Sequence, residues 1–215
     1  MTISVTLKNC NYIVGNMAWD TESTKAKLLD AATAEFSTYG LAGGRVDRIA
    51  KTAGVNKERI YNYWGNKDDL FGVVLARELA AVMDEIQITG TGVEALVTYA
   101  SRVFDYQVSH PELARLTFWE GLERSEPTAL AARASGAASK VQRVREALPT
   151  LSDDDARDLL LTILTLADGW QVLGTMDRIY TGTIRTGTVE RDAARNASRR
   201  AAVLAAVEAT VRALL

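Results

Sequence analysis

The sequence has few of the residues that staple small folds or carry redox and metal chemistry. Its 215 residues include one cysteine, Cys10, and one histidine, His110. A single thiol excludes an intrachain disulfide, and one thiol plus one imidazole leaves no Cys/His set for a zinc ion. No metal or cofactor is expected. There is no HExxH or GxSxG spacing and no second group to serve His110 as a nucleophile–base partner. The TGTG at 89–92 follows no strand and precedes no Lys-Ser/Thr, so it reads as a turn and not a phosphate loop. An enzyme is therefore the least favoured class. Only Pro111, Pro127 and Pro149 interrupt the backbone, which leaves long stretches free to be helical. No uncharged apolar run approaches the roughly 20 residues of a membrane span. The N-terminus lacks the basic start and continuous apolar stretch of a secretion signal. A cytoplasmic protein without a membrane partner is expected, and a lone thiol suits a reducing compartment.

What is present is a globular composition, 47% hydrophobic and 24% charged, rich in Ala and Leu. Such a chain is long enough for one large domain or two small ones and should be all-α, with about nine helices. The net charge of −2 conceals a segregation. Residues 43–67 carry Arg45, Arg48, Lys51, Lys57, Arg59 and Lys67 against Asp47 and Glu58, a net of +4. Residues 1–42 sum to −1 and residues 68–215 to −5. One basic segment on an acidic chain suits a protein whose one end meets phosphates.

That segment, RVDRIAKTAGVNKERIYNYWGNKDDL, reads as two short helices joined by a tight turn. Val46, Ile49, Ala50 and Ala53 share a face. Gly54 supplies the left-handed residue that ends the first helix. Asn56 is placed to cap the second by accepting from its first-turn amides. Lys57, Arg59, Tyr61 and Asn62 lie opposite Ile60 and Trp64, which read as core. Two helices at a Gly-containing turn, the second basic and aromatic, make a helix-turn-helix. Upstream, Leu28, Leu29, Ala32 and Phe36 form the apolar stripe of a first helix over about Thr24–Tyr39, ended by Gly40. Gly44 is expected to cap the second helix, with Asp47 in its first turn. Downstream, Asn66 and Asp69 form a capping pair that starts a helix over about Lys67–Glu85.

AGVNKERIYNYWGNKDDLF resembles the DNA-binding signature of the TetR family of bacterial transcriptional regulators. LLDAATAEFSTYGLAGGRVDRIA matches the family's first helix and the approach to its second. The resemblance is specific over about Thr24–Val74. It implies a three-helix DNA-binding head (residues 21–66) and a helical ligand-binding and dimerisation body (residues 67–215), with residues 1–20 as a flexible arm. Residues 1–19 match nothing in the family, and Met17 lies where its members usually start. Carried over by position, Arg45, Arg48, Asn56, Lys57, Arg59, Tyr61, Asn62, Tyr63 and Lys67 are the expected DNA contacts. Arg59 is placed for guanine, whose O6 and N7 match its fork. The family's usual phosphate-contacting Ser or Thr near position 44 is a glycine here, so Arg45 or Arg48 is expected in that role.

In the body, the spacing predicts a helix over about Val93–Ser109. A capping box from Ser109 to Glu112 should open the next helix, leaving His110 as a surface or capping residue. Pro127 should open another helix, running to about Leu148. Ser152 and the acids 153–155 start a helix that continues, apolar nearly all round, to about Met176. A Gly/Thr loop follows at 177–187, then a last helix over about Val189–Leu214 with an alanine stripe at Ala194, Ala197, Ala201 and Ala205. The last two helices are the expected homodimer interface. In relatives the cavity-lining helices correspond to those carrying Phe104, Trp119, Trp170 and Met176, each of which reads first as structural core and second as pocket lining, with Gln107 and Asp168 as the polar candidates beside them. A pocket there suits an apolar or aromatic effector oriented by Asp168 or Gln107. The resulting expectation is a ligand-released repressor acting as a homodimer on double-stranded, pseudo-palindromic operator DNA. The alternatives are a constitutive DNA-binding protein without an inducer and a helical enzyme.

Overall fold

In the computed structural model the backbone is described for residues 8–182 and 189–215, and the side chains for 21–83, 85–182 and 193–215. The described residues form ten helices and no strand. The chain divides into two compact units, one ending at Leu75 and the other beginning at Ala76.

The first unit contains α1 (Lys8–Gly43), α2 (Val46–Ala53), α3 (Glu58–Trp64) and the start of α4 (Lys67–Glu85). α1 is helical well before the Thr24 start that the sequence suggested. The added segment holds no proline, and its one glycine, Gly15, weakens a helix without ending it. Residues 1–7 of the expected arm lie outside the described residues. The break expected at Gly40 is present, with φ 71° and ψ −175°. Leu28, Phe36, Ile49, Ile60, Leu70 and Phe71 are fully buried. Phe36 meets Phe71 edge-on at 5.4 Å between ring centroids, a favoured aromatic geometry.

Gly44 is not the cap of α2, as the sequence had suggested; Arg45 is the N-cap and uses no side-chain bond. The glycine is needed for space. A Cβ on it would lie 2.6 Å from the Phe36 ring and 2.8 Å from the Gly40 carbonyl oxygen. Since backbone is one of the two obstacles, the clash cannot be relieved by a rotamer change alone. Gly44→Ala should destabilise the first unit by about 1–3 kcal/mol, read as a lower urea midpoint at unchanged slope.

The second unit holds the rest of α4, α5 (Gly92–Ser109), α6 (Pro111–Glu123), α7 (Leu130–Ala147), α8 (Asp153–Val172), α9 (Gly174–Thr181) and α10 (Val189–Leu214). α5 is its axis, packing on α10, α8, α7 and α6. It buries Leu96, Tyr99, Val103, Phe104 and Gln107 among others. α10 answers with Val203, Val207 and Val211, spaced one helical turn apart and all buried. The alanine stripe at Ala194, Ala197, Ala201 and Ala205 is exposed in the single chain.

Several local expectations are corrected. The Ser109–Glu112 capping box does not form: His110 is the N-cap without a side-chain bond, and Ser109 Oγ donates back to the Asp105 carbonyl at 3.1 Å. His110 instead stacks on Tyr106 at 4.1 Å and sets Nδ1 3.1 Å from its carbonyl oxygen. α7 begins at Leu130, three residues after Pro127, behind Ala129 in a left-handed conformation. The long apolar helix stops at Val172. After Leu173 the chain turns by 77° into α9, so residues 177–181 are helical and not a loop. The turn lets Asp177, a buried acid on α9, accept from Arg195 of α10 at 2.6 Å. The box starting α8 is present, with Ser152 and Asp155 bonding each other's backbone amides. Among the described residues no single helix is long and apolar enough to cross a membrane.

Candidate nucleic-acid interface and effector cavity

The turn between α2 and α3 is built as its residues dictate. Gly54 adopts φ 69° and ψ 31°. Its N–H donates to the Lys51 carbonyl, and the Val55 N–H reaches the Ala50 carbonyl at 3.0 Å. This is the paired closure of a Schellman motif. Asn56 Oδ1 then accepts from the Glu58 N–H at 3.0 Å, as expected of it, although the N-cap residue of α3 is Lys57 and uses no side-chain bond. Asn66 and Asp69 close the start of α4 reciprocally, at 2.9 and 2.6 Å. Because Ile60 is fully buried and Tyr63 and Trp64 are half-buried, α3 turns Glu58, Arg59, Tyr61 and Asn62 outward, all of them exposed.

The nine expected contact residues all lie in this unit, but their surroundings differ. Arg45, Asn56, Lys57, Arg59, Tyr61 and Asn62 are exposed. Arg59 reaches towards α1, with Nη1 3.5 Å from Thr24 Oγ1. Lys57 pairs with Asp47 at 3.2 Å, both well exposed, a contact worth little in water. Arg48 is held more firmly. Its Nε donates to Glu35 Oε1 at 2.8 Å and its Nη2 to the Gly43 carbonyl at 3.0 Å. Its guanidinium also lies 4.3 Å from the centroid of the Tyr39 ring. The bond to Glu35 raises its pKa above the ordinary arginine value. Lys67 Nζ donates to the carbonyls of Ala42 and Gly44 at 3.3 and 3.2 Å, filling acceptors left open where α1 ends. Tyr63 packs edge-on against Trp64 at 5.4 Å, with Lys25 Nζ 5.5 Å from its centroid.

Three participants were missed in the sequence. Glu35 is buried on α1 and accepts the Arg45 N–H at 2.8 Å, so a carboxylate from another helix supplies the acceptor that α2 lacks at its own start. Nothing local signals this, since the contact spans ten residues and a helix break. Glu58 stands on the outward face of α3, and its spacing to Tyr61 and Asn62 was legible from the helical period alone. Lys25 is brought to the same edge by α1. Among the described residues no carboxylate pairs with Arg45, Lys51 or Arg59, so the basic field of this end is only partly neutralised.

The second unit contains a cavity of about 600 Å³. Leu79, Val82, Met83, Ile86, Val103, Leu160 and Leu164 supply most of its apolar wall. Of the six expected ligand residues, the fold brings Gln107 and Asp168 together in it, with Gln107 Nε2 donating to Asp168 Oδ1 at 2.7 Å. Phe104 is buried in the core. Trp170 donates through Nε1 to Asn196 Oδ1 at 2.9 Å and lies under Arg195 at 5.0 Å. Met176 is exposed on α9, and Trp119 is half-buried on α6; none of these four lines the cavity. The wall also carries Tyr99, Lys140 and Arg133, which helical spacing alone does not single out. Burial, and secondarily Asp168, pushes the Tyr99 hydroxyl up to about 12. Burial pushes the Asp168 carboxyl up to about 6, against the lowering effect of Gln107. Burial lowers the Lys140 ammonium.

The family model described as "Bacterial regulatory proteins, tetR family" matches residues 28–74. "Tetracyclin repressor-like, C-terminal domain" matches residues 95–209. The chain belongs to the TetR family. Among its relatives, the HTH-type transcriptional repressor SCO4008 of Streptomyces coelicolor is 39% identical over 176 residues, covering 80% of this chain and 90% of that protein. The crystal structure of the putative transcriptional regulator SCO4942 from Streptomyces coelicolor is 31% identical, with a TM-score of 0.67, covering 86% of this chain and 96% of that one. A TetR-like regulator from Rhodococcus sp. RHA1 shares the fold at 17% identity, with a TM-score of 0.60 and coverage of 87% and 93%. This TetR-family protein is thus a helix-turn-helix transcriptional regulator. Its first matched segment contains the whole α2–turn–α3 unit, and its second contains nearly all of the cavity wall from α5 to α8.

Proposed function

We propose that this chain is a repressor that binds a pseudo-palindromic operator as a homodimer and leaves it when an effector fills the cavity. The observation that carries the reading is the division of α3. One face is buried on Ile60, and the other presents Arg59, Tyr61 and Asn62 from a helix tied by the Glu58 N–H to Asn56 and closed by the Gly65 N–H on the Tyr61 carbonyl. A helix so held fits the major groove, and two copies would meet half-sites about 34–36 Å apart. Arg59 reads a guanine, Asn56 and Lys57 meet bases or adjacent phosphates, and Tyr61, Asn62 and Tyr63 line the backbone. Arg45 is the phosphate anchor that stands in for the family's hydroxyl. Arg48 and Lys67 act mainly by holding α1 and α2 in register, given their bonds to Glu35 and to the carbonyls of Ala42 and Gly44.

The exposed alanines of α10, beside α8, supply the dimer face, since small residues allow close helix approach. The name of the 39% identical relative supports repression. A constitutive binder would have no use for a cavity with a buried polar pair, which favours the inducible reading. A cytoplasmic location follows from the operator as target. Gel-shift titration with DNA flanking the gene, repeated with a metabolite panel and paired with sedimentation analysis, tests the scheme. Specific retardation by a dimer, relieved by a panel member, is expected; a monomer, or binding indifferent to sequence, would refute it.

A further inference from the structure

The polar end of the cavity states what kind of molecule it takes. Gln107 is 4% exposed. Its amide orientation is fixed by chemistry, since only the NH2 side can donate to the Asp168 carboxylate 2.7 Å away. Its oxygen is thereby turned aside, and Gln107 Oε1 is buried with no hydrogen-bond partner among the described residues. A buried acceptor left unmet is costly and uncommon. The other Asp168 oxygen likewise has no partner among the described residues. An anionic carboxylate with one free oxygen, backed by a buried amide, therefore forms the polar end of a cavity that is otherwise mainly apolar.

The basic side chains on the same cavity wall are engaged elsewhere. Arg133 is committed to Glu120 Oε2 at 2.5 Å and to the Thr128 carbonyl at 3.3 Å. Lys140 donates to the Ile86 carbonyl at 3.1 Å and stands 5.1 Å from the Tyr99 ring centroid.

We infer that the effector is an apolar molecule bearing a protonated, N–H-donating nitrogen, seated on the free oxygen of Asp168 with its hydrocarbon part along Leu160 and Val103. This rests on the effector-cavity reading and names the ligand class it takes. Such a cation donates to the free oxygen and neutralises the carboxylate, whereas a neutral alcohol donates without neutralising it and an ionised acid is repelled by it. Burial raises the Asp168 carboxyl to about 6, and a cation beside it would offset that cost.

The test is calorimetric titration of the full-length protein with three probes of one tail, n-decylammonium, n-decanol and n-decanoate, each below its micelle concentration. The ammonium should bind about tenfold or more tightly than the alcohol, the scale of a charge-assisted hydrogen bond, and the decanoate more weakly than either. Asp168→Asn should erase the gap between ammonium and alcohol while leaving alcohol binding within about threefold. Equal affinities for all three probes, or a preference for decanoate, would overturn the ligand class while leaving the cavity reading intact. No binding of any probe would overturn both.

Discussion

Phe36→Ala should cost the DNA-binding unit about 3–5 kcal/mol, enough to abolish operator binding at growth temperature in a fold with a total margin of about 5–15 kcal/mol. The ring is fully buried and meets Phe71 at 5.4 Å. It also occupies the space that keeps position 44 a glycine, with its edge where a Gly44 Cβ would project. Removing it opens a cavity bounded by the first helix, the approach to α2 and α4 together. Because the two compact units meet within α4 in sequence, the loss should appear as an early transition in urea, followed by fluorescence. A single shifted transition with operator affinity retained would mean that Phe36 is not the centre of this core. Phe36→Leu, which keeps most of the volume, should lose less than half as much.

Asp168→Asn should make the empty protein more stable at pH 7.5, by roughly 1–3 kcal/mol for a carboxyl raised by about two pKa units. Its folded-state value, about 6, lies above the ordinary 3.8. The folded form therefore binds this proton more tightly than the unfolded form does. The stabilising contribution is complete below pH 3.8 and is lost as pH rises through about 6, so an ionised Asp168 is a burden at neutral pH. The neutral isostere removes that burden and should flatten the stability profile between about pH 4 and 6, as measured by urea midpoints across that range. An unchanged profile would mean that water reaches the carboxylate freely. A destabilising charge retained at a cavity wall is what a ligand seat looks like before the ligand arrives.

Much of the DNA-binding unit is legible in its residues alone. Gly54, Asn56, Asn66 and Asp69 each do locally what their chemistry predicts, because caps and turns are decided within a few residues. Ile60 and Phe36 follow from the helical period. What stays hidden depends on contacts distant in sequence. Glu35 serves α2 from another helix, Lys67 caps the end of α1 from across the unit, and Gly44 is explained by the Phe36 ring and not by its own backbone. In the second unit, periodicity locates the helices but not their ends. The turn after Val172 is settled by pairing Asp177 with Arg195, which no window of neighbouring residues contains. The cavity follows the same rule: helix membership alone nominates four large side chains that do not line it, while the Gln107–Asp168 pair joins residues 61 apart.

The central claim, that α3 reads DNA through its outward face, is tested most directly by one comparison. Fluorescence anisotropy would follow wild type and Arg59→Ala on DNA flanking the gene and on a scrambled duplex, across a salt series. The wild type should prefer the flanking DNA by about 10³-fold or more and weaken steeply with salt. Arg59→Ala should keep the salt-dependent binding but lose about 1–3 kcal/mol of the preference. A variant that discriminates the two duplexes as well as the wild type does would contradict the account.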